Sequence, residues 1–387
     1  MGSNGAVLVV TTDPLRNPNY GGILQAWALC EALKNLGYEP WIYDKRSTKL
    51  WRAWYSLVRF GCRFVPHRLT HRWWYCWPEN QAILKFARSN LRYSSSSTHT
   101  PRTEAEASAP FVAYVTGSDQ VWRPEIYDPV EKLLGFVPAG FTGPRIAYAA
   151  SFGKDDLTMF TEPLRTRTKP LAQQLTAVSV REESGIAMAK RLWDVDAQRV
   201  TDPVFLVTAD EYRKRFDIPD EQATLVTYVL DPNEEAERLV SELLSDEELG
   251  IKTVVHLSPH GKNASKPIVE DWLRAIGSAK YVLTDSFHGT AFSILLNKPF
   301  IAFRNQYRGG TRFDSLFAVY QHDPITGAPT AQLLAAASGS GDRLRIVQAE
   351  REAGIDYLSK ILGSARPLSA PVSRGRVPPS PNWSRRL

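Results

Sequence analysis

Two α/β units in tandem, each built on a parallel sheet, are the fold class the sequence predicts, and three observations lead there. Short β-branched runs alternate with longer segments of helical periodicity from residue 6 to about residue 206. The alternation stops in a polar, charged stretch at 208–222 and starts again at Leu225. A length of 387 residues, 43% of them hydrophobic, suits two soluble domains with cores of their own and excludes a wholly disordered chain. Strands that alternate with helices need crossover connections, and crossovers imply parallel strands covered on both faces.

Each element has a local reason. AVLVVTT (6–12) is a β-branched strand, NYGG (19–22) a turn, and ILQAWALCEALKNLGY (23–38) puts Leu24, Ala28, Leu29, Leu33 and Leu36 on one helical stripe that Gly37 ends. EPWIYD (39–44) follows as a second strand, and the opening is therefore βαβ. A helical stretch at 79–92 and a Ser/Thr/Pro-rich loop at 94–110 precede the strands FVAYVTG (111–117), RIAYAASFG (145–153), TAVSVRE (176–182) and RVTDPVFL (199–206), with a helix near 184–193. The second unit reads LVTYVLD (225–231), a helix at 233–248, TVVHLSP (253–259), a helix at 266–279, YVLTDS (281–286), HGTAFSILLNK (288–298) and PFIAF (299–303).

This divides the chain into a first domain at 1–207, a linker at 208–222, a second domain at 223–343, a helix at 344–365 and a tail at 366–387 that is too poor in apolar residues to fold. Charge is unevenly spread. Residues 45–92, an insertion in the first domain, carry eleven Lys/Arg against the single acid Glu79, and the tail carries five Arg and no acid. The rest is net acidic, so a uniformly basic nucleic-acid binder is excluded and no nucleic-acid partner is expected. No apolar run approaches the roughly 18 residues of a membrane span, and no secretion or lipidation signal opens the chain, so a cytoplasmic protein is expected. Cys30, Cys62 and Cys76 have neither disulfide-framework nor zinc-site spacing, and no metal is expected.

Ligands of such units sit beyond the carboxyl ends of the strands, which makes the cleft between the domains the default site. The most informative stretch is YVLTDSFHGTAFSILLNKPFIAF (281–303), where a strand ends in Asp285-Ser286-Phe287-His288-Gly289-Thr290 and a helix begins at once. The helix N-terminus suits a phosphate or carboxylate, with Gly289 allowing close backbone approach, Ser286 and Thr290 supplying hydroxyls, and His288 able to move a proton beside the bound anion. The plainer reading is that Asp285 or Ser286 only caps the helix and His288 is a hydrogen-bonded surface residue.

Arg304, Arg308 and Arg312 follow the next strand and suit an anion. Arg181, at the end of TAVSVRE, is a candidate from the other unit, or a structural ion pair with Glu182 or Glu183. His256 and His260 are separated by a strand end and a proline, a poor metal pair. In the first unit NYGGILQAWAL (19–29) and VTGSDQVWRP (115–124) lack both the dinucleotide fingerprint and the phosphate loop. Asn19, Asp119, Gln120 and Trp122 suit a sugar, whose hydroxyls want paired polar groups and whose C–H faces pack on an aromatic ring; a self-satisfied turn is the alternative for Asp119 and Gln120.

NYGGILQAWAL, VTGSDQVW, IAYAASFG, SVREESG, TDPVFL and TDSFHGTAFSILLNKPFI, in this order over residues 7–318, resemble the polysaccharide pyruvyl transferase family. The resemblance implies two Rossmann-like domains of GT-B-like arrangement. It also implies transfer of pyruvate from phosphoenolpyruvate to sugar hydroxyls as a ketal, with phosphate released and no cofactor beyond that donor. It assigns His288 the role of general base, or of phosphate binding, and Arg181 that of a donor ligand; the reading of the residues adds Ser286, Gly289, Thr290, Arg308 and Arg312 around the donor and Asn19, Tyr20, Gly21, Asp119, Gln120 and Trp122 on the acceptor side. Some relatives carry an arginine just before the motif histidine where this chain has Ser286-Phe287, and Arg308 or Arg312 is the expected substitute. A nucleotide-sugar glycosyltransferase and a non-catalytic glycan-binding protein are the competing classes. The insertion WRAWYSLVRFGCRFVPHRLTHRWWYCW (51–77) interleaves tryptophans with arginines, which predicts peripheral contact with an anionic membrane at the inner face and a lipid-linked acceptor; packing of those tryptophans into the first domain is the alternative.

Overall fold

The computed structural model of the chain describes residues 3–12, 15, 19–43, 80–94, 111–135, 137, 140–231, 233–257, 267–303, 311–320 and 341–363. The first domain holds β1 (Ala6–Val10), β2 (Glu39–Tyr43), β3 (Tyr93–Ser94), β4 (Phe111–Thr116), β5 (Arg145–Ala150), β6 (Ala177–Val180) and β7 (Gln198–Arg199). They form one sheet in the order β3-β2-β1-β4-β5-β6-β7, with every pairing parallel. The second domain orders β8 (Thr224–Tyr228), β9 (Thr253–His256), β10 (Tyr281–Thr284) and β11 (Phe300–Ala302) as β11-β10-β8-β9, again all parallel. The two tandem Rossmann-like units are therefore present. In each sheet the strand order reverses at one point, between β1 and β4 in the first and between β8 and β10 in the second. A crevice opens at such a point, because the connections on its two sides run to opposite faces.

Two helices join the domains. Helix α1 (Tyr20–Asn35) is capped by Asn19, whose side chain accepts from the Gly22 N–H at 2.6 Å, and gives way at Gly37, where φ is +85°. Its apolar positions run round the whole circumference, so it is buried on all sides from Tyr20 to Cys30. The helix Phe287–Leu295 of the second domain is buried throughout and packs against α1. Aromatic rings fill the seam: Tyr20 stacks on Trp272 at 5.1 Å and meets Tyr228 edge-on at 6.0 Å, and the indole of Trp27 lies against Tyr212 and Phe216. One hydrophobic core consequently runs through both domains.

Two expectations need correction. The stretch 208–222 contains a helix, Ala209–Phe216, opened by a Thr208–Glu211 capping box. Its polar composition belongs to the outer face only, since Tyr212 and Phe216, four residues apart, are buried and Tyr212 touches Phe292 edge-on at 5.2 Å. Of the strand expected at 199–206, only Gln198–Arg199 pairs in the sheet, while Pro203–Leu206 forms a 3-10 turn that Asp202 caps. Pro203 has no N–H for a ladder and suits the first position of a helical turn. The helix expected at 79–92 is present as Gln81–Asn90 and buries Ile83, Leu84, Phe86 and Ala87. Residues 51–77 and 366–387 lie outside the described residues.

The last described helix, Gly341–Leu362, returns to the first domain. Arg199 holds Glu350 through two hydrogen bonds at 2.8 and 2.6 Å, and Tyr38 donates to the Leu362 carbonyl. Gly354 lies so near the Tyr148 hydroxyl and Leu206 that a side chain there would collide with both. No helix among the described residues is long and apolar enough to cross a membrane.

Candidate active site

Both reversal points open onto one cleft of about 420 Å³. From the first domain it is lined by Thr12 beyond β1, Asn19 and Gly21 at the start of α1, and Asp119, Gln120, Arg123, Ile126 and Tyr127 beyond β4. The second domain contributes Tyr228 at the end of β8, Leu230 and Asp231 beyond it, and Asp285, Ser286, Phe287 and His288 beyond β10, with Phe313 at the side. The carboxyl ends of two parallel sheets thus face each other, and so do the N-terminal ends of two buried helices. Each helix end carries a partial positive charge, and their convergence favours an anion between them.

The polar framework is fixed from behind. Gln25, fully buried, donates to Thr11 Oγ1 at 2.7 Å and to the Gly22 carbonyl at 2.9 Å, and accepts from the Ser118 N–H at 3.2 Å. It ties α1 to the ends of β1 and β4. Asp119 stands in the left-handed region at φ +70° and accepts from Thr12 Oγ1 at 3.3 Å. On the opposite wall Asp285 accepts from the Leu230 N–H at 2.6 Å and the Asp231 N–H at 3.1 Å, which holds the loop after β8. Ser286 is the N-cap of the helix and accepts from the Gly289 N–H at 3.3 Å.

His288 occupies the first turn of that helix with 8% of its surface exposed. The Nδ1 edge of its ring lies against Gly21, where any β-carbon would overlap the imidazole. Its Nε2 points to Asp202 Oδ2, 3.8 Å away. Behind it, Arg181 is enclosed by three carboxylates: Glu182 at 2.9 Å, Asp202 at 2.7 Å and Asp119 at 3.6 Å. Burial alone would lower the pKa of Arg181, but the three carboxylates outweigh it and hold the group above its ordinary value, so it stays charged. Its guanidinium also stacks over the Phe287 ring at 4.3 Å.

Of the residues expected at the site, Asn19, Gly21, Asp119, Gln120, Ser286 and His288 line the cleft. Others do not. Arg181 does not reach the cleft; it faces a void of about 20 Å³ bordered by Arg199, Asp202 and Phe287, so the ion-pair alternative with Glu182 describes it better than a donor contact. Trp122 is fully buried among Phe152 and Trp193, a core residue with no face for a sugar. Tyr20 donates to the Pro267 carbonyl at 2.7 Å and stacks in the domain seam. Gly289 packs against Thr284 and Tyr228, so its missing side chain serves helix-on-strand contact, not ligand approach. Thr290 is buried with its hydroxyl on the Ser286 carbonyl. Arg304 and Arg308, and the side chain of Arg312, lie outside the described residues. His256 hydrogen-bonds Thr227 through Nδ1 at 2.7 Å, and no group among the described residues could hold a metal ion.

Sequence reasoning passed over Arg123, which borders the cleft while bonded to Gln120 and Glu125. It sits in the VTGSDQVWRP block, three residues beyond Gln120, and that spacing on a turn was the available signal. Asp202 and Gln25 were also passed over, because their partners are remote in sequence.

The fold and cleft define a two-domain α/β protein with a polar cleft between the carboxyl ends of its sheets. The model of the polysaccharide pyruvyl transferase family matches residues 19–307, and the chain belongs to that family. No curated protein sequence matches it. Among solved structures it is similar to the UDP-GlcNAc 2-epimerase of Methanocaldococcus jannaschii, with 13% identity, TM-score 0.44, and 89% of this chain and 98% of that one covered. S. aureus MnaA, solved with UDP, gives 11% identity, TM-score 0.43, and 92% and 93% covered. The Neisseria meningitidis UDP-GlcNAc 2-epimerase gives 9% identity, TM-score 0.42, and 92% and 98% covered. Likeness this distant carries no argument about activity.

Two outcomes follow from this packing. Gly21→Ala drives a methyl group into the imidazole of His288, and the overpacking is expected to cost about 1–3 kcal/mol in denaturant unfolding. Arg181→Ala leaves three carboxylates buried without their cation, and a loss of about 3–5 kcal/mol is expected in the same measurement. An Arg181→Ala protein of wild-type stability would return Arg181 to the role of a ligand.

Proposed function

We propose that the protein transfers the pyruvyl group of phosphoenolpyruvate to two hydroxyls of a sugar in a polysaccharide or its precursor, forming a ketal and releasing phosphate. One observation carries the reading: in a chain of the pyruvyl transferase family, His288 stands where two helix N-termini converge inside the cleft. A donor with a phosphate and a carboxylate matches that positive end field. The acceptor belongs against Asn19, Asp119 and Gln120, whose oxygens and amides suit sugar hydroxyls.

Protonation of the donor methylene carbon gives C2 cationic character, and a sugar hydroxyl attacks it while His288 takes the hydroxyl proton. The C2–O bond to phosphate then breaks. The second hydroxyl closes the ketal on C2. In the balance, one hydroxyl proton ends on the new methyl group and the other leaves with phosphate. Of the arginines expected at the donor, Arg308 and Arg312 remain part of this proposal as partners of its carboxylate. The tryptophan- and arginine-rich segment 51–77 supports a lipid-linked acceptor met at an anionic membrane surface.

The test is a panel of defined glycans incubated with phosphoenolpyruvate, read by mass for an added pyruvate ketal and by equimolar phosphate. Turnover of nucleotide sugars with no use of phosphoenolpyruvate would overturn the reading. His288→Ala is expected to lower kcat about 10²–10⁴-fold in a folded protein. A folded variant with wild-type kcat removes His288 from the chemistry. Sedimentation with anionic vesicles, weakened by salt and by Trp73→Ala with Trp74→Ala, is expected for the membrane contact, and a protein left in the supernatant at low salt refutes it.

A further inference from the structure

The cluster behind His288 has a feature that its ion pairs alone do not require. Asp202 is buried, with 2% of its surface exposed, and both of its oxygens are engaged. Oδ1 accepts from the Val204 N–H at 3.1 Å, as the cap of the 3-10 turn, and Pro203 at the first position of that turn stiffens it. Oδ2 accepts from Arg181 Nη1 at 2.7 Å. The same Oδ2 lies 3.8 Å from His288 Nε2, across the junction of the two domains. A carboxylate oxygen has a second lone pair to offer, and three carboxylates around one guanidinium leave the cluster richer in negative charge than Arg181 balances. An N–H directed at Oδ2 is favoured there; a bare nitrogen lone pair is not.

The ring has little freedom to turn away. Its Nδ1 edge is closed by Gly21, and Phe287 meets it edge-on at 5.2 Å with an interplanar angle of 85°. Imidazole has two nitrogens, and the hydrogen bond made by one decides which state the other is in. A separation of 3.8 Å is longer than a hydrogen bond, and catalytic contacts of this kind commonly shorten only once substrate is bound.

We propose that Asp202 is a positioning residue that holds His288 as the Nε2–H tautomer and fixes its ring for proton exchange in the cleft. Arg181 belongs to the same device, since its hydrogen bond to Oδ2 and its stacking on Phe287 fix Asp202 and the residue beside His288 together. The catalytic part of this inference rests on the function proposed above, whereas the tautomer does not.

The experiment uses the full chain with ¹⁵N-labelled histidine, and the His288 signals are identified by their loss in His288→Ala. In wild-type protein at a pH where the ring is neutral, the nitrogen shifts are expected to report Nε2–H with an unprotonated Nδ1. An Nδ1–H tautomer overturns the proposal, and this arm needs no variant to fold. In Asp202→Ala no carboxylate oxygen faces Nε2, and the tautomer is expected to shift to Nδ1–H. With phosphoenolpyruvate and the acceptor found by the glycan panel, kcat of that variant is expected to fall about 10²–10⁴-fold while KM for both substrates is kept. A folded Asp202→Ala protein that keeps the Nε2–H tautomer, or keeps kcat, overturns the positioning role. If no phosphoenolpyruvate turnover exists in the wild type, the function reading fails and the tautomer result still decides the inference.

Discussion

The contact between Gly21 and the imidazole of His288 is the constraint on which the rest of the arrangement depends. It brings the first turn of a helix in one domain within van der Waals reach of the first turn of a helix in the other. No side chain larger than hydrogen fits between them. With that approach made, Tyr20 can stack on Trp272, Tyr212 can wedge between Trp27 and Phe292, and the two sheets present their carboxyl ends to a single space. Apolar burial on this scale supplies the energy that holds the cleft's polar walls in place. The site is polar because the seam around it is not.

A buried arginine among three acids is costly to desolvate, and hydrophobic replacements of such clusters are often as stable. Its place in this fold is at the junction of three loops. Glu182 follows β6, Asp202 precedes the 3-10 turn, and Asp119 follows β4, so one guanidinium fastens the ends of separate crossovers. Stacking on Phe287 extends the fastening to the second domain. What the cluster supplies is therefore geometry across a domain boundary.

Much of this was legible in the sequence. The βαβ opening, the restart of alternation near residue 225 and the strand-to-helix junction at Thr284–His288 are local patterns, set by side-chain period and by capping, and the structure has them. The family resemblance rested on blocks that prove to be strand ends and the turns and helix starts beside them. Individual side chains were harder, because their fate is decided by partners that no local window contains. Trp122 sits beside polar residues in sequence but beside Trp193 in space. Arg181 looked available to a ligand because only Glu182 and Glu183 were visible near it, while Asp119 and Asp202 arrive from other strands. Tyr20 shares a turn with the cleft residues Asn19 and Gly21, yet a helical step of one residue rotates it into the seam.

The helix Gly341–Leu362 rests on Tyr148, Arg199, Thr201 and Leu206, residues of the domain that is made first. During synthesis the N-terminal half emerges well before the segment that covers this face. Vectorial folding from the ribosome must therefore stop short, with an apolar flank of the first domain open until translation has passed the second domain. The chain can close over the first domain only once the second has been translated.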